Sequence, residues 1–147
     1  MIHVVITGGS SGIGLSIAQV YLERKARVTL IGRSLERLET ARTLLVEKTG
    51  RAARDIATVS LDVADATAVE AAAASIESDF GPCDILVTSA GMVSPAAFDI
   101  QSAADFRRHV DINLHGTVQM ISALYGGMKT RRRGRIMIVS SGAALIG

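Results

Sequence analysis

His3-Val4-Val5-Ile6-Thr7-Gly8-Gly9-Ser10-Ser11-Gly12-Ile13-Gly14 takes the chain from an apolar run through a glycine-rich turn into an amphipathic stretch that continues to Leu22. A strand, a glycine-rich turn and a helix start, in that order, suit an anion. Bare backbone approaches the ligand closely, free N–H groups point at it, and the positive end of the helix dipole faces it. Gly8, Gly12 and Gly14 are the positions where a Cβ would obstruct that approach or the helix–sheet contact. The spacing is T-G-x(3)-G-x-G and not G-x-G-x-x-G, because Ile17 stands where a third glycine of the commoner pattern would fall. A glycine-rich turn that binds nothing is the competing reading. It fits less well with a strand and a helix on either side.

The 147 residues suffice for one domain with a sizeable core. Hydrophobic residues are 48%, charged residues 20% and prolines two, which excludes a disordered chain. Tryptophan is absent and aromatics are 3%, so Val, Ile, Leu and Ala must build the core. That mix suits a parallel sheet buried on both faces. Much of the net charge of +2 sits in Lys129-Thr130-Arg131-Arg132-Arg133-Gly134-Arg135. It reads first as a helix end whose cations offset the dipole, closing at Gly134, and second as a surface for phosphate or membrane. No aromatic stacking residues accompany the arginines, which argues against nucleic acid. Cys83 is the single cysteine, so no disulfide framework or cysteine zinc site exists. It reads as small and inert. No signal peptide or transmembrane run is legible in the sequence.

Apolar periodicity predicts helices over 13–24, 35–48, 66–80 and 102–129, the last with a break near Asp111. Strands are predicted at 3–6, 28–31, 56–61, 85–88 and 135–140. Strict alternation implies an α/β, Rossmann-type doubly wound parallel sheet in the order 3-2-1-4-5. In such sheets ligands bind beyond the carboxyl ends of the strands. Gly8, Arg33, Asp62, Ala90 and Ser141 all follow strand ends, so one cleft collects them.

The rim residues suggest which dinucleotide fits. An acidic residue about 20 positions past the glycine turn commonly holds the ribose 2′-OH of NAD. Here the second strand ends Ile31-Gly32-Arg33-Ser34, with no carboxylate. Arg33 offers a fork for a 2′-phosphate, and Ser10 and Ser34 offer hydroxyls, which favours NADP. Ser34 also reads as an N-cap. Asp62-Val63 is placed to accept from an adenine amino group, or is a turn. Ala90-Gly91 lets a flat ligand lie near the backbone. Asn113, a poor interior helix residue, would hold a water or a backbone carbonyl in a kinked helix. Ser140 and Ser141 end the fifth strand, where a hydroxyl meets a substrate carbonyl or merely closes the strand.

These motifs together resemble the short-chain dehydrogenase/reductase family. Thr7 to Gly14, Leu61-Asp62-Val63, Ser89-Ala90-Gly91, Asn113 and Val139-Ser140-Ser141 stand in the family's order across essentially the whole chain. The resemblance implies one NADP-binding Rossmann domain over 1–147, the N-terminal portion of a longer single-domain reductase. Gly8, Ser10, Ser11, Gly12, Ile13, Gly14, Arg33, Ser34, Asp62, Val63, Ala90 and Gly91 would bind the cofactor. Asn113 would hold the proton-relay water and Ser141 would orient the substrate carbonyl. Within the family, residues 3–14, Ala90-Gly91-Met92 and Arg133-Gly134-Arg135-Ile136 look most like the 3-ketodihydrosphingosine reductases. That branch implies NADPH as hydride donor and a long-chain, lipid-like 3-oxo sphingoid base as substrate. It also implies a place in the cytoplasm at the cytosolic face of the endoplasmic reticulum, in contact with the membrane surface. Pairing of copies through the helix 102–129 is implied as well. Another carbonyl or 3-oxoacyl reductase, or a dinucleotide-binding piece without chemistry, are the alternatives.

Three departures stand out. Thr88 occupies the first position of the family's Asn-Asn/Cys-Ala-Gly stretch, and Ala144 replaces an expected glycine. The family's Tyr-x-x-x-Lys pair would fall just beyond Gly147. Tyr125-Gly126-Gly127-Met128-Lys129 has that spacing in a different element, so it reads as coincidence. The 147 residues alone are therefore expected to be inactive.

Overall fold

The computed structural model describes residues 1–142; Ala144 lies outside them. Five strands alternate with helices: β1 (His3–Thr7), α1 (Gly12–Glu23), β2 (Arg27–Gly32), α2 (Leu35–Thr49), β3 (Ile56–Ser60), α3 (Ala66–Phe80), β4 (Ile85–Thr88), α4 (Ala103–Val110), α5 (Gly116–Arg131) and β5 (Arg135–Ile138). All strand pairs are parallel and the order is β3-β2-β1-β4-β5, as the alternation predicts.

The pleat of β1 explains the two-sided core. Val4 and Ile6 face one way, joining Leu22 of α1, Leu30 of β2 and Leu38 and Leu45 of α2. Val5 faces the other way, toward Ile31, Val69 and Ile76 of α3, and Met120 and Leu124 of α5. Successive strand residues point to opposite faces, so a strand buried on both reads as an unbroken apolar run. Truncating a fully buried leucine such as Leu30 or Leu124 costs about 2–5 kcal/mol. Cys83 belongs to the second cluster, and burial pushes its thiol pKa up to about 12, which makes it an unreactive packing residue.

Helix ends follow side-chain chemistry where the sequence supplies it. Ser34 accepts from the Arg37 N–H, Asp65 from Ala68, and Ser102 forms a reciprocal capping box with Asp105. The basic helix end departs from expectation. α5 closes on Arg132 in the left-handed region (φ 50°), not on Gly134. Gly134 is small for a different reason: a Cβ there would lie 2.5 Å from Met128 Cγ. β5 also stops at Ile138, two residues short of the predicted end, although the Val139 N–H still donates to Thr88 O (3.0 Å).

The long helical stretch is interrupted by a π-helical turn, Asp111–His115, which joins α4 to α5. Such turns insert an extra residue and reorient side chains. Glycine at 116 lets α5 start against the exit of β3, since a Cβ would meet Val63 Cγ2 at 2.6 Å. Among the described residues no helix is long and apolar enough to cross a membrane.

Candidate dinucleotide cleft

A cavity of about 650 Å³ opens at the carboxyl ends of the strands, a size suited to a small-molecule cofactor. It gathers Gly8, Ser10, Ser11, Gly12 and Ile13 from the first turn, Arg33, Ser34 and Arg37 from the second, and Asp62 and Val63 from the third. Ser89, Ala90 and Gly91 after β4, with Ile112 and Val139, complete its wall. Gly14 is buried just behind the turn, in α1.

The turn itself is tightly determined. Thr7 Oγ1 accepts from the N–H groups of Ser89 (3.1 Å) and Ala90 (3.0 Å), locking the end of β1 to the end of β4. Gly8 lies at φ +69°, and a Cβ there would fall 2.7 Å from Ser89 O. Gly12 lies at φ +53° with nothing within 4 Å of its virtual Cβ, so the space above it is open. A Cβ on Gly14 would overlap the Gly8 carbonyl oxygen. Ser11 is extended and its side chain makes no capping bond, which leaves the first-turn N–H groups of α1 without a side-chain acceptor. These groups, the dipole and the open space are suited to an anion.

At the second turn, Arg33 is exposed and lines the cavity. Ser34 caps α2 while its own hydroxyl hydrogen stays available for a second partner. Arg37 joins them, its Nη2 donating to Ser11 Oγ (3.4 Å) across the mouth. The sequence reading missed Arg37. A cation in the first turn of a helix opposes the dipole and asks for another purpose, which was the available signal.

Asp62 is more constrained than a free acceptor would be. Its Oδ1 accepts from Ala64 N–H (3.0 Å) and its Oδ2 from Arg108 Nη2 (2.6 Å). Burial pulls its pKa up. The hydrogen bonds from Arg108 and Ala64 and the charges of Arg108 and Arg33 outweigh that and hold it below the usual carboxylate range. Arg108 was also missed; it lies 46 positions from its partner.

Asn113 stands in the π-helical turn. Its amide is committed on both sides to Met92, accepting from the N–H (2.8 Å) and donating to the carbonyl (2.9 Å). The side chain therefore fastens the loop after β4, and being exposed it keeps one amide hydrogen and one oxygen lone pair beyond those that Met92 takes. A π-helical turn gives it this reach by breaking the regular ladder. His109 adds a second tie, its Nε2 3.1 Å from the Ser94 N–H. Ser141 is exposed two residues beyond the cavity-lining Val139, at the same rim. Tyr125 and Lys129 line a different, shallow depression with Arg132, Arg133 and Ile136, at the end where α5 runs into the start of β5. That is the opposite end of the sheet from the glycine turn.

A doubly wound parallel sheet with a glycine-rich turn at its switch point is the architecture of dinucleotide-binding domains. The chain belongs to the short chain dehydrogenase family, whose sequence profile matches residues 2–147. It is 36% identical over 146 residues to the 3-ketodihydrosphingosine reductase of Bos taurus, covering 99% of this chain and 44% of the relative. The chain thus spans less than half the length of that relative. Among solved structures, L-sorbose reductase from Gluconobacter frateurii, complexed with NADPH and L-sorbose, superposes with a TM-score of 0.88 at 33% identity, covering 98% of this chain and 54% of that one. An NAD+-bound xylitol dehydrogenase superposes with a TM-score of 0.90 at 29% identity, covering 99% and 55%.

Proposed function

We propose that this chain is the cofactor-binding part of an NADPH-dependent reductase that converts a ketone to an alcohol. The substrate class we assign is the long-chain 3-oxo sphingoid bases. The observation that carries the reading is the open, uncapped glycine turn facing Arg33, Ser34 and Arg37, with no carboxylate among the residues that the second turn lends to the cavity wall. The relatives named as sphingoid reductases and the NADPH-bound sorbose reductase support it.

The residues fit the cofactor. Gly8, Ser10, Ser11, Gly12, Ile13 and Gly14 would hold the pyrophosphate, and Arg33 and Ser34, joined by Arg37, the 2′-phosphate. Asp62 and Val63 would take the adenine, and Ala90 and Gly91 would lie beneath the ribose and nicotinamide. When bound, the nicotinamide supplies the hydride for the ketone carbon. Ser141 would orient the carbonyl by donating its hydroxyl hydrogen. Asn113, which braces Met92, would also hold the proton-relay water through the amide hydrogen and lone pair that Met92 leaves over. The chain's two tyrosines, Tyr21 and Tyr125, lie in α1 and α5, away from the rim, so residues 1–147 alone bring no tyrosine acid to the carbonyl. We therefore assign low turnover to these residues by themselves. Losing a positioned acid costs about 10²–10⁴-fold.

We also propose that copies pair through α5 and the π-helical turn before it, where Leu114 of the turn and Val118 and Tyr125 of α5 stand exposed. The basic helix end fits contact with an anionic membrane surface at the cytosolic side of a membrane. The functional test is NADPH oxidation by the full-length protein with a 3-oxo sphingoid base and with short 3-oxoacyl ketones. Turnover of the sphingoid base, lost by at least about tenfold in Ser141→Ala, is expected. NADPH binding without turnover of any ketone would overturn the reductase reading.

A further inference from the structure

Arg108 is absent from the cavity wall, yet it makes the shortest polar contact to a residue that lines it. Its Nη2 donates to Asp62 Oδ2 at 2.6 Å, while Ala64 N–H holds Oδ1 at 3.0 Å. The carboxylate is thereby pinned at both oxygens, one from its own turn and one from α4. The same helix and the π-helical turn beyond it send His109 to Ser94 and Asn113 to Met92. One short element thus grips the third-strand exit and the loop after β4.

We infer that Arg108 is a positioning residue that aims the Asp62 carboxylate at the exocyclic amine of the adenine, so that base identity is read through it. The inference rests on the dinucleotide reading above. A carboxylate held by two donors keeps its remaining lone pairs in fixed directions, whereas a free one rotates and is more readily hydrated. An amine donating to a carboxylate is favourable. The hypoxanthine analogue of NADPH presents a carbonyl oxygen at that position and meets repulsion instead.

The test titrates the full-length protein with NADPH and with its hypoxanthine analogue, following binding by nicotinamide fluorescence, in wild type, Arg108→Met and Arg108→Lys. Wild type should prefer adenine by about tenfold or more, the effect of one hydrogen bond to a charged group. Arg108→Met should lose most of that preference while still binding both forms. Arg108→Lys should restore it, because the observed contact is a single N–H donation. A thermal melt of each variant shows that the comparison is made on folded protein. An unchanged or larger preference in Arg108→Met overturns the positioning role, as does a wild type indifferent to the base. Failure of wild type to bind either dinucleotide would instead sink the cofactor reading itself.

Discussion

Replacing Gly12 and Gly14 separately by alanine should divide binding from folding. At Gly12 the added methyl enters open space, so the structural cost is backbone alone: a left-handed φ of +53° in a residue with a Cβ, about 1–2 kcal/mol. For a chain of this length that lowers Tm by roughly 3–6 °C. The open space is where an anion would sit, so the methyl should also weaken NADPH binding by at least about tenfold, or ~1.4 kcal/mol. At Gly14 the methyl would overlap the Gly8 carbonyl oxygen, with Gly8 C at 2.9 Å, and backbone has no rotamer with which to yield. Better helix propensity returns at most about 1 kcal/mol, against an overpacking cost of about 1–3 kcal/mol or more and a displaced turn. Gly14→Ala should therefore lose stability and binding together, whereas Gly12→Ala should melt as a well-folded protein that binds poorly. Circular-dichroism melting and NADPH fluorescence titration read the two quantities. A Gly12→Ala protein with wild-type affinity would refute the placement of a phosphate over this turn.

Three further outcomes are expected. Tyr125→Phe should leave ketone reduction by the full-length protein within about twofold of wild type in a steady-state assay, since Tyr125 sits at the far end of the sheet. A large loss would return its Tyr-x-x-x-Lys spacing to the chemistry. His3 is buried with Nδ1 2.8 Å from Gly81 O and Nε2 2.8 Å from Thr29 Oγ1, and burial lowers its pKa below 6.5. A base depressed in the folded state binds its proton more readily when unfolded, so its contribution is intact above pH 6.5 and is lost as pH falls below it. Tm measured from pH 7.5 to 5 should fall less steeply in His3→Gln than in wild type; identical slopes would contradict this. Gly116→Ala should destabilise the fold by about 1–3 kcal/mol in urea unfolding, because Val63 Cγ2 stands 2.6 Å from the new methyl.

The sheet was legible because each signal is local. α3 and β4 were predicted at their observed bounds, the first by its alanine-rich face and the Gly81-Pro82 stop, the second by four consecutive apolar or β-branched residues. Alternation then fixed the order. The glycine turn was readable for the same reason: strand, turn and helix lie within twelve residues. What escaped depends on distant packing. Gly134 looks like a helix stop but is small because Met128 lies against it, and Arg132 ends the helix instead. The Asp62–Arg108 pair and the Asn113 grip on Met92 depend on where α4 lands, which no local pattern encodes. Asn113 was rightly suspected from its poor fit to a helix interior, yet its partner could not be read from spacing.

The preference for a 2′-phosphate at the second turn is most directly measured by calorimetric titration of NADPH and NADH into the protein and its Arg33→Ala variant. Wild type should bind NADPH at least about tenfold more tightly than NADH, and Arg33→Ala should erase most of the difference. Equal affinities in wild type, or no binding of either, would contradict it.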